Sequence, residues 1–203
     1  MNFQGPKFTL LAISALFLTP LIIVILMRSS LWNFEPSRFV NRGVLVEPAQ
    51  SLALNNIEIQ YSNNSKSLEE REQWVMLYPI YSSCEQTCLE NIAGLRQVHT
   101  ARGRQRDKVA IWLITPERMT EESSQTLISI YPKLNILLDV SGNTLEMLNS
   151  IGTQTSFGKT HYDAGQAFLL DPSANIILRY VPGFDFKDID QDLDRLLTWS
   201  GTN

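Results

Sequence analysis

Apolar positions along this chain fall into two regimes. From Phe8 to Met27 they form one uncharged block, FTLLAISALFLTPLIIVILM, long enough at the helical rise of about 1.5 Å per residue to span roughly 30 Å of hydrocarbon. From Trp74 onward they come in short runs separated by helix-spaced stretches. Trp74 to Ile80 is a continuous apolar run of strand length, and Tyr81-Ser82-Ser83-Cys84 after it suits a turn that opens a helix. A helix is predicted from Cys84 to Arg102, with Cys88, Ile92, Leu95 and His99 spaced by three or four. Val109 to Ile114 reads as a buried strand, Thr120 to Tyr131 as a helix stopped by Pro132, Asn135 to Val140 as a strand, and Thr144 to Ile151 as a short helix. Ala167–Leu170 and Ile176–Val181 are strands split by the hairpin turn Asp171-Pro172-Ser173-Ala174-Asn175. The last helix, Lys187 to Trp199, carries Ile189, Leu193, Leu196 and Leu197 on one face.

The order β-α-β-α-β-α-β-β-α implies an α/β domain with a central, partly parallel sheet covered by helices on both faces. Between the two regimes, residues 28 to 72 hold Pro36, Pro48, a polar run from Tyr61 to Ser67, and only short apolar stretches at Gly43–Val46 and Ile57–Ile59. They suit a tether followed by a small extended element. Pro20 inside the first block argues for a kink in a membrane helix. A cleaved signal peptide would use an apolar run of about 7 to 15 residues and a small-residue cleavage site, which Arg28-Ser29-Ser30-Leu31-Trp32 does not offer. Trp32 and Phe34 suit the membrane interface beside an uncleaved anchor, or simply begin the linker.

Charge narrows the partners. The 203 residues carry 17 basic and 21 acidic side chains. Without Lys7, the count is 16 against 21, a balance of −5, which gives no support to a nucleic-acid surface. Counted literally, positive charge favours the wrong side for a secreted domain, because Lys7 precedes the apolar block whereas Arg28, Arg38 and Arg42 follow it; orientation is taken from the chemistry below, against the charges. The acidic cluster Asp185, Asp188, Asp190, Asp192 and Asp194 reads as the solvated side of the last helix. Arg96, Arg102, Arg104, Arg106 and Lys108 likewise read as a solvated helix end, with His99 an ordinary surface position beside them.

The only two cysteines, Cys84 and Cys88, lie four apart at the carboxyl end of the first core strand. Helical spacing would put both sulfurs on one face, and the N-terminus of a helix favours thiolate over thiol. Two small buried apolar residues would show the same spacing. Position favours chemistry, because the carboxyl end of a strand is where open α/β sheets place their sites. His161 lies in the loop before the Ala167 strand and is either a solvated loop side chain or an imidazole placed over the pair. Two thiolates with one imidazole make a soft set that suits Cu(I) and can also hold Cu(II).

These residues resemble the SCO/SenC family, membrane-anchored thioredoxin-like proteins involved in cytochrome c oxidase assembly. Tyr81 to Cys88 after an apolar strand is similar to that family's CxxxC loop. Ile114-Thr115-Pro116-Glu117-Arg118-Met119-Thr120 is similar to its DPxRDT segment, and His161 ahead of Phe168-Leu169-Leu170-Asp171-Pro172 to its metal-binding histidine. Leu89 stands where the family has proline, and Thr115 and Met119 stand where it has aspartates. The resemblance implies a thioredoxin-like fold and a copper set of Cys84, Cys88 and His161. It also implies delivery of copper to, or reduction of the cysteines of, the binuclear copper site of an oxidase subunit, met directly or with assembly factors. The implied layout is a cytoplasmic leader at 1–7, a transmembrane anchor at 8–27, a linker and N-terminal extension at 28–72, and a thioredoxin-like domain at 73–203. The chemistry places that domain in the periplasm, held by one span in a bacterial inner membrane. Two other readings stay open. One is a thiol-disulfide oxidoreductase in which Cys84 and Cys88 attack and resolve; it is disfavoured by the three-residue spacer and by the lack of proline before the Ala167 strand. The other is a tethered interaction module with inert cysteines.

Overall fold

The computed structural model describes residues 5–28, 40–70, 72–153 and 165–200. The chain divides into two compact units, Met1–Val40 and Asn41–Asn203. The first contains helix α1, Pro6–Arg28, which runs through Pro20. Its segment Phe8–Leu26 is long and apolar enough to cross a membrane, and none of it is buried against protein.

The second unit is built on one seven-stranded sheet. Its strands are β1 (Val44–Ser51), β2 (Ile57–Tyr61), β3 (Trp74–Pro79), β4 (Val109–Thr115), β5 (Asn135–Asp139), β6 (Ala167–Leu170) and β7 (Asn175–Tyr180), in the spatial order β1-β7-β6-β3-β4-β5-β2. The continuous apolar runs form the middle: β3, β4 and β5 are parallel, and β6 lies antiparallel against β3. Such strands need helices on both faces. Helices α2 (Gln86–Ala101), α3 (Glu121–Ile130) and α5 (Phe186–Ser200) cover one face, and α4 (Asn143–Thr153) covers the other. Alternation along the strands divides the core accordingly. Trp74, Met76, Tyr78 and Ile80 meet α2 and α5, while Val75 and Leu77 meet the α4 side.

The segment expected as linker and N-terminal extension supplies both edges of the sheet. β1 pairs with β7, and β2 pairs with β5, both antiparallel. The hairpin turn between β6 and β7 forms as expected: the Asp171 carboxylate accepts from Ser173 N, Asn175 N and Asn175 Nδ2 at 2.8 to 2.9 Å.

Three surface expectations are corrected by burial. Asp192, expected in the solvated acidic cluster, is 2% exposed. Its carboxylate accepts from Arg42 N at 2.9 and 3.0 Å, Gly43 N at 2.9 Å and Tyr180 Oη at 3.0 Å. Arg102, expected at a solvated helix end, has a largely buried side chain that ion-pairs with Asp190 and Asp194 of α5. His99 is 4% exposed rather than on the surface. Its Nε2–H donates to Val109 O at 2.8 Å, and Tyr131 Oη donates to its Nδ1 at 2.7 Å. That tautomer is neutral, and burial holds its pKa below the usual 6.5.

Candidate functional site: a cysteine pair at the carboxyl edge of the sheet

The site is assembled where parallel strands β3 and β4 end together. Their register pairs Pro79 with Ile114, and Ile80 N–H donates to Ile114 O at 2.8 Å just beyond the strand. Both following loops, 80–85 and 116–120, therefore leave the sheet at the same level. The first leads to Cys84 and the second to Met119.

Helix α2 starts two residues later than expected, at Gln86. Glu85, with φ −84° and ψ −175°, is extended, which takes Cys84 off the helix and leaves Cys88 in its first turn. The two sulfurs do not stand side by side on one helical face as free thiols. They are joined as a disulfide with Cα atoms 5.2 Å apart, well inside the range such a bond needs. Both cysteines are half-buried and border the apolar cluster formed with Leu89 and Met119. The two residues are thus half-buried and bonded to each other rather than sealed in the core as separate apolar side chains.

Cys84 lines an open groove of about 470 Å³ between the start of α2 and the start of α3, together with Tyr81, Leu89, Thr115, Met119 and Leu127. The far wall is fixed by polar contacts. Thr115 Oγ1 lies 2.9 Å from Glu117 O and 3.2 Å from Leu137 O, and it accepts from Gln60 Nε2 at 3.3 Å. Gln60 Oε1 in turn accepts from Met119 N at 3.0 Å. Thr120 then caps α3 by accepting from Ser123 N at 3.2 Å. Thr115, standing where the resembled family has an acid, thus serves as a buried neutral tie. Arg118 pairs with Glu58 on the exposed side of this loop.

Behind the groove, β3 and the approach to β6 carry further polar contacts. Asn91 Nδ2 donates to Tyr78 Oη at 3.1 Å, and burial raises the pKa of Tyr78, keeping it a neutral phenol. Gly165 at φ +96° turns the chain into Gln166, a conformation that a side chain would strain. Gln166 is fully buried, and its Nε2 donates to Tyr81 Oη at 3.4 Å. The only cis peptide among the described residues is Glu47–Pro48 on β1, far along the chain from the start of β6. His161 lies outside the described residues. Among those described, no cluster of three or more His, Cys, Asp or Glu side chains gathers as a metal centre. The residues missed in the sequence are Met119, Gln60 and Gln166. Only Met119 carried a signal there, as a sulfur in the loop after the second core strand.

Over residues 74–200 the chain matches the family described as transmembrane-like, thioredoxin-like, C-terminal domain. It belongs to this family. Among solved structures, apo Sco1 of Thermus thermophilus is similar at 14% identity over 80% of this chain and 100% of that one, with a TM-score of 0.55, which establishes a shared thioredoxin-like fold. Copper-bound ScoI of Bradyrhizobium japonicum aligns at 19% identity over 62% of this chain and 85% of that one, TM-score 0.45. The thioredoxin domain of a thiol-disulfide oxidoreductase from Bacteroides vulgatus aligns at 15% identity over 72% and 97%, TM-score 0.46. No curated protein matches the chain.

Proposed function

We propose that this chain is a membrane-anchored, thioredoxin-like assembly factor that binds copper through Cys84, Cys88 and His161. On this reading it hands the ion to the binuclear copper site of a cytochrome c oxidase subunit. The observation that carries the reading is the cysteine pair itself. Two sulfurs already within bonding distance, at the rim of a groove walled by Leu89, Met119 and Leu127, become two soft donors once reduced. Thiolate donors of that kind select Cu(I) over hard ions. Copper here is cargo. Loading requires that an external dithiol first deliver two electrons and two protons to the Cys84–Cys88 bond; Cu(I) then displaces the two thiol protons. The apolar helix Phe8–Leu26 is read as the anchor, with the cysteine domain in the periplasm of a bacterium.

The test is anaerobic titration of the reduced full-length chain with Cu(I). A single ion retained per chain, lost in Cys84→Ser and in Cys88→Ser, supports the reading; free copper at every ratio defeats it. The disulfide found in the structure favours a second reading, in which the pair exchanges disulfides with protein cysteines. A reduced chain that cleaves a model peptide disulfide while failing to hold Cu(I) would establish that reading in place of the first.

A further inference from the structure

Resting on the copper reading, the geometry points to the Met119 thioether as a third sulfur donor to a Cu(I) ion held by the Cys84 and Cys88 thiolates, a site we propose here. The register of the central strands carries the argument. Pro79 and Ile114 are paired neighbours on β3 and β4. Cys84 lies five residues beyond the first and Met119 five residues beyond the second. Equal lengths of chain leaving paired positions bring both side chains to one groove, where Cys84 and Met119 both line the wall. Both also border the same apolar cluster.

Met119 is held from both sides. Its N–H is fixed by Gln60 Oε1 at 3.0 Å, and the next residue, Thr120, is the cap of α3. The backbone of the ligand is thereby fixed in advance, which leaves only side-chain rotation to be ordered on binding. Of the other groups that line the groove, the Ser82, Ser83, Thr115, Ser123 and Thr126 hydroxyls and the exposed Glu117 carboxylate are hard oxygens ill-suited to Cu(I), and Arg118 is a cation already paired with Glu58. A thioether is soft and uncharged. With two thiolates and a monovalent ion it leaves a single net negative charge, less costly in a half-buried site than the charge a third anion would add.

The test uses the full-length chain, reduced and kept free of oxygen, loaded with Cu(I) and challenged with a chromophoric Cu(I) chelator. Met119→Leu keeps volume and apolar contact while removing the donor. It is expected to release copper at about tenfold lower chelator concentration than wild type, with one fewer sulfur in the copper X-ray absorption shell and an unchanged melting temperature. Equal retention and an equal sulfur count in Met119→Leu overturn the proposal while leaving the copper reading standing. His161→Ala is expected to weaken retention as well, because the imidazole is a nitrogen donor beside the three sulfurs; copper lost in His161→Ala while Met119→Leu matches wild type overturns the Met119 donor and leaves the copper reading standing. If the wild-type chain holds no Cu(I), the copper reading falls and the Met119 donor with it.

Discussion

Asp192→Ala should be strongly destabilising although it lies outside the apolar core. The carboxylate ties three parts of the domain: the chain entering β1 through Arg42 and Gly43 amides, the end of β7 through Tyr180, and its own helix α5. Truncation strands those donors. Arg42 is exposed, so water replaces its partner, whereas Gly43 and Tyr180 are buried. Two buried donors left unpaired cost about 1 to 3 kcal/mol each. Relief of the desolvation of Asp192 offsets part of this, and the net loss is expected near 3 kcal/mol, at the low end for breaking a buried charged set. Tyr180→Phe leaves both amides in place and should cost about 1 kcal/mol. Its phenol titrates far above the ordinary range, because burial and the neighbouring Asp192 charge both oppose a second anion. Urea unfolding followed by the fluorescence of buried Trp74 and Trp112 measures both losses. The double variant should be less destabilised than the two singles combined, since the Tyr180–Asp192 bond is broken only once. A loss under about 1 kcal/mol for Asp192→Ala would refute the reasoning.

His99 makes stability pH-dependent in a defined direction: its folded pKa lies below the unfolded 6.5, so the unfolded chain binds the extra proton. Stability should therefore be full above that value and fall as pH drops from about 6.5 toward the folded pKa, a slope that His99→Leu should flatten in urea titrations run at a series of pH values. Reducing Cys84–Cys88 opens a loop of sequence separation 4, for which loop entropy predicts a loss of about 2 kcal/mol. The dithiol form should therefore keep native near-UV circular dichroism, as the proposed copper loading requires. Gly94→Ala should destabilise by about 1 kcal/mol despite a helix-propensity gain of similar size, because its Cβ would sit 2.2 Å from the Phe186 ring. In a Phe186→Leu background the same substitution should become neutral or favourable by the same urea assay.

The parts of the fold legible in the sequence were those dictated by local pattern. Trp74–Pro79 and Val109–Thr115 are unbroken apolar runs, which only strands buried on both faces require, and Ile189, Leu193 and Leu197 mark the buried stripe of α5. The edges were not legible, because β1 finds its partner across the whole domain, Val44 against Arg179, and is interrupted by Pro48 and a register shift. Asp192 was misjudged on composition although spacing spoke for burial: it lies three residues after Ile189 and directly before Leu193, inside the stripe. His99 shows the same conflict, since its spacing from Ile92 and Leu95 pointed inward while neighbouring arginines pointed to solvent. In both, periodicity decided the side and a local hydrogen-bond set made burial tolerable. The cysteine pair was legible by position, whereas its bond to itself depended on Glu85 leaving helical geometry, a backbone choice that residue spacing does not encode. The same limit hid Met119. No pattern within one segment relates a residue after β4 to one after β3; only the parallel register does. A one-residue slip of that register would move Met119 out of step with Cys84 and exchange the side chains that β4 gives to the two core layers, Ile111 and Leu113 on one side and Trp112 and Ile114 on the other.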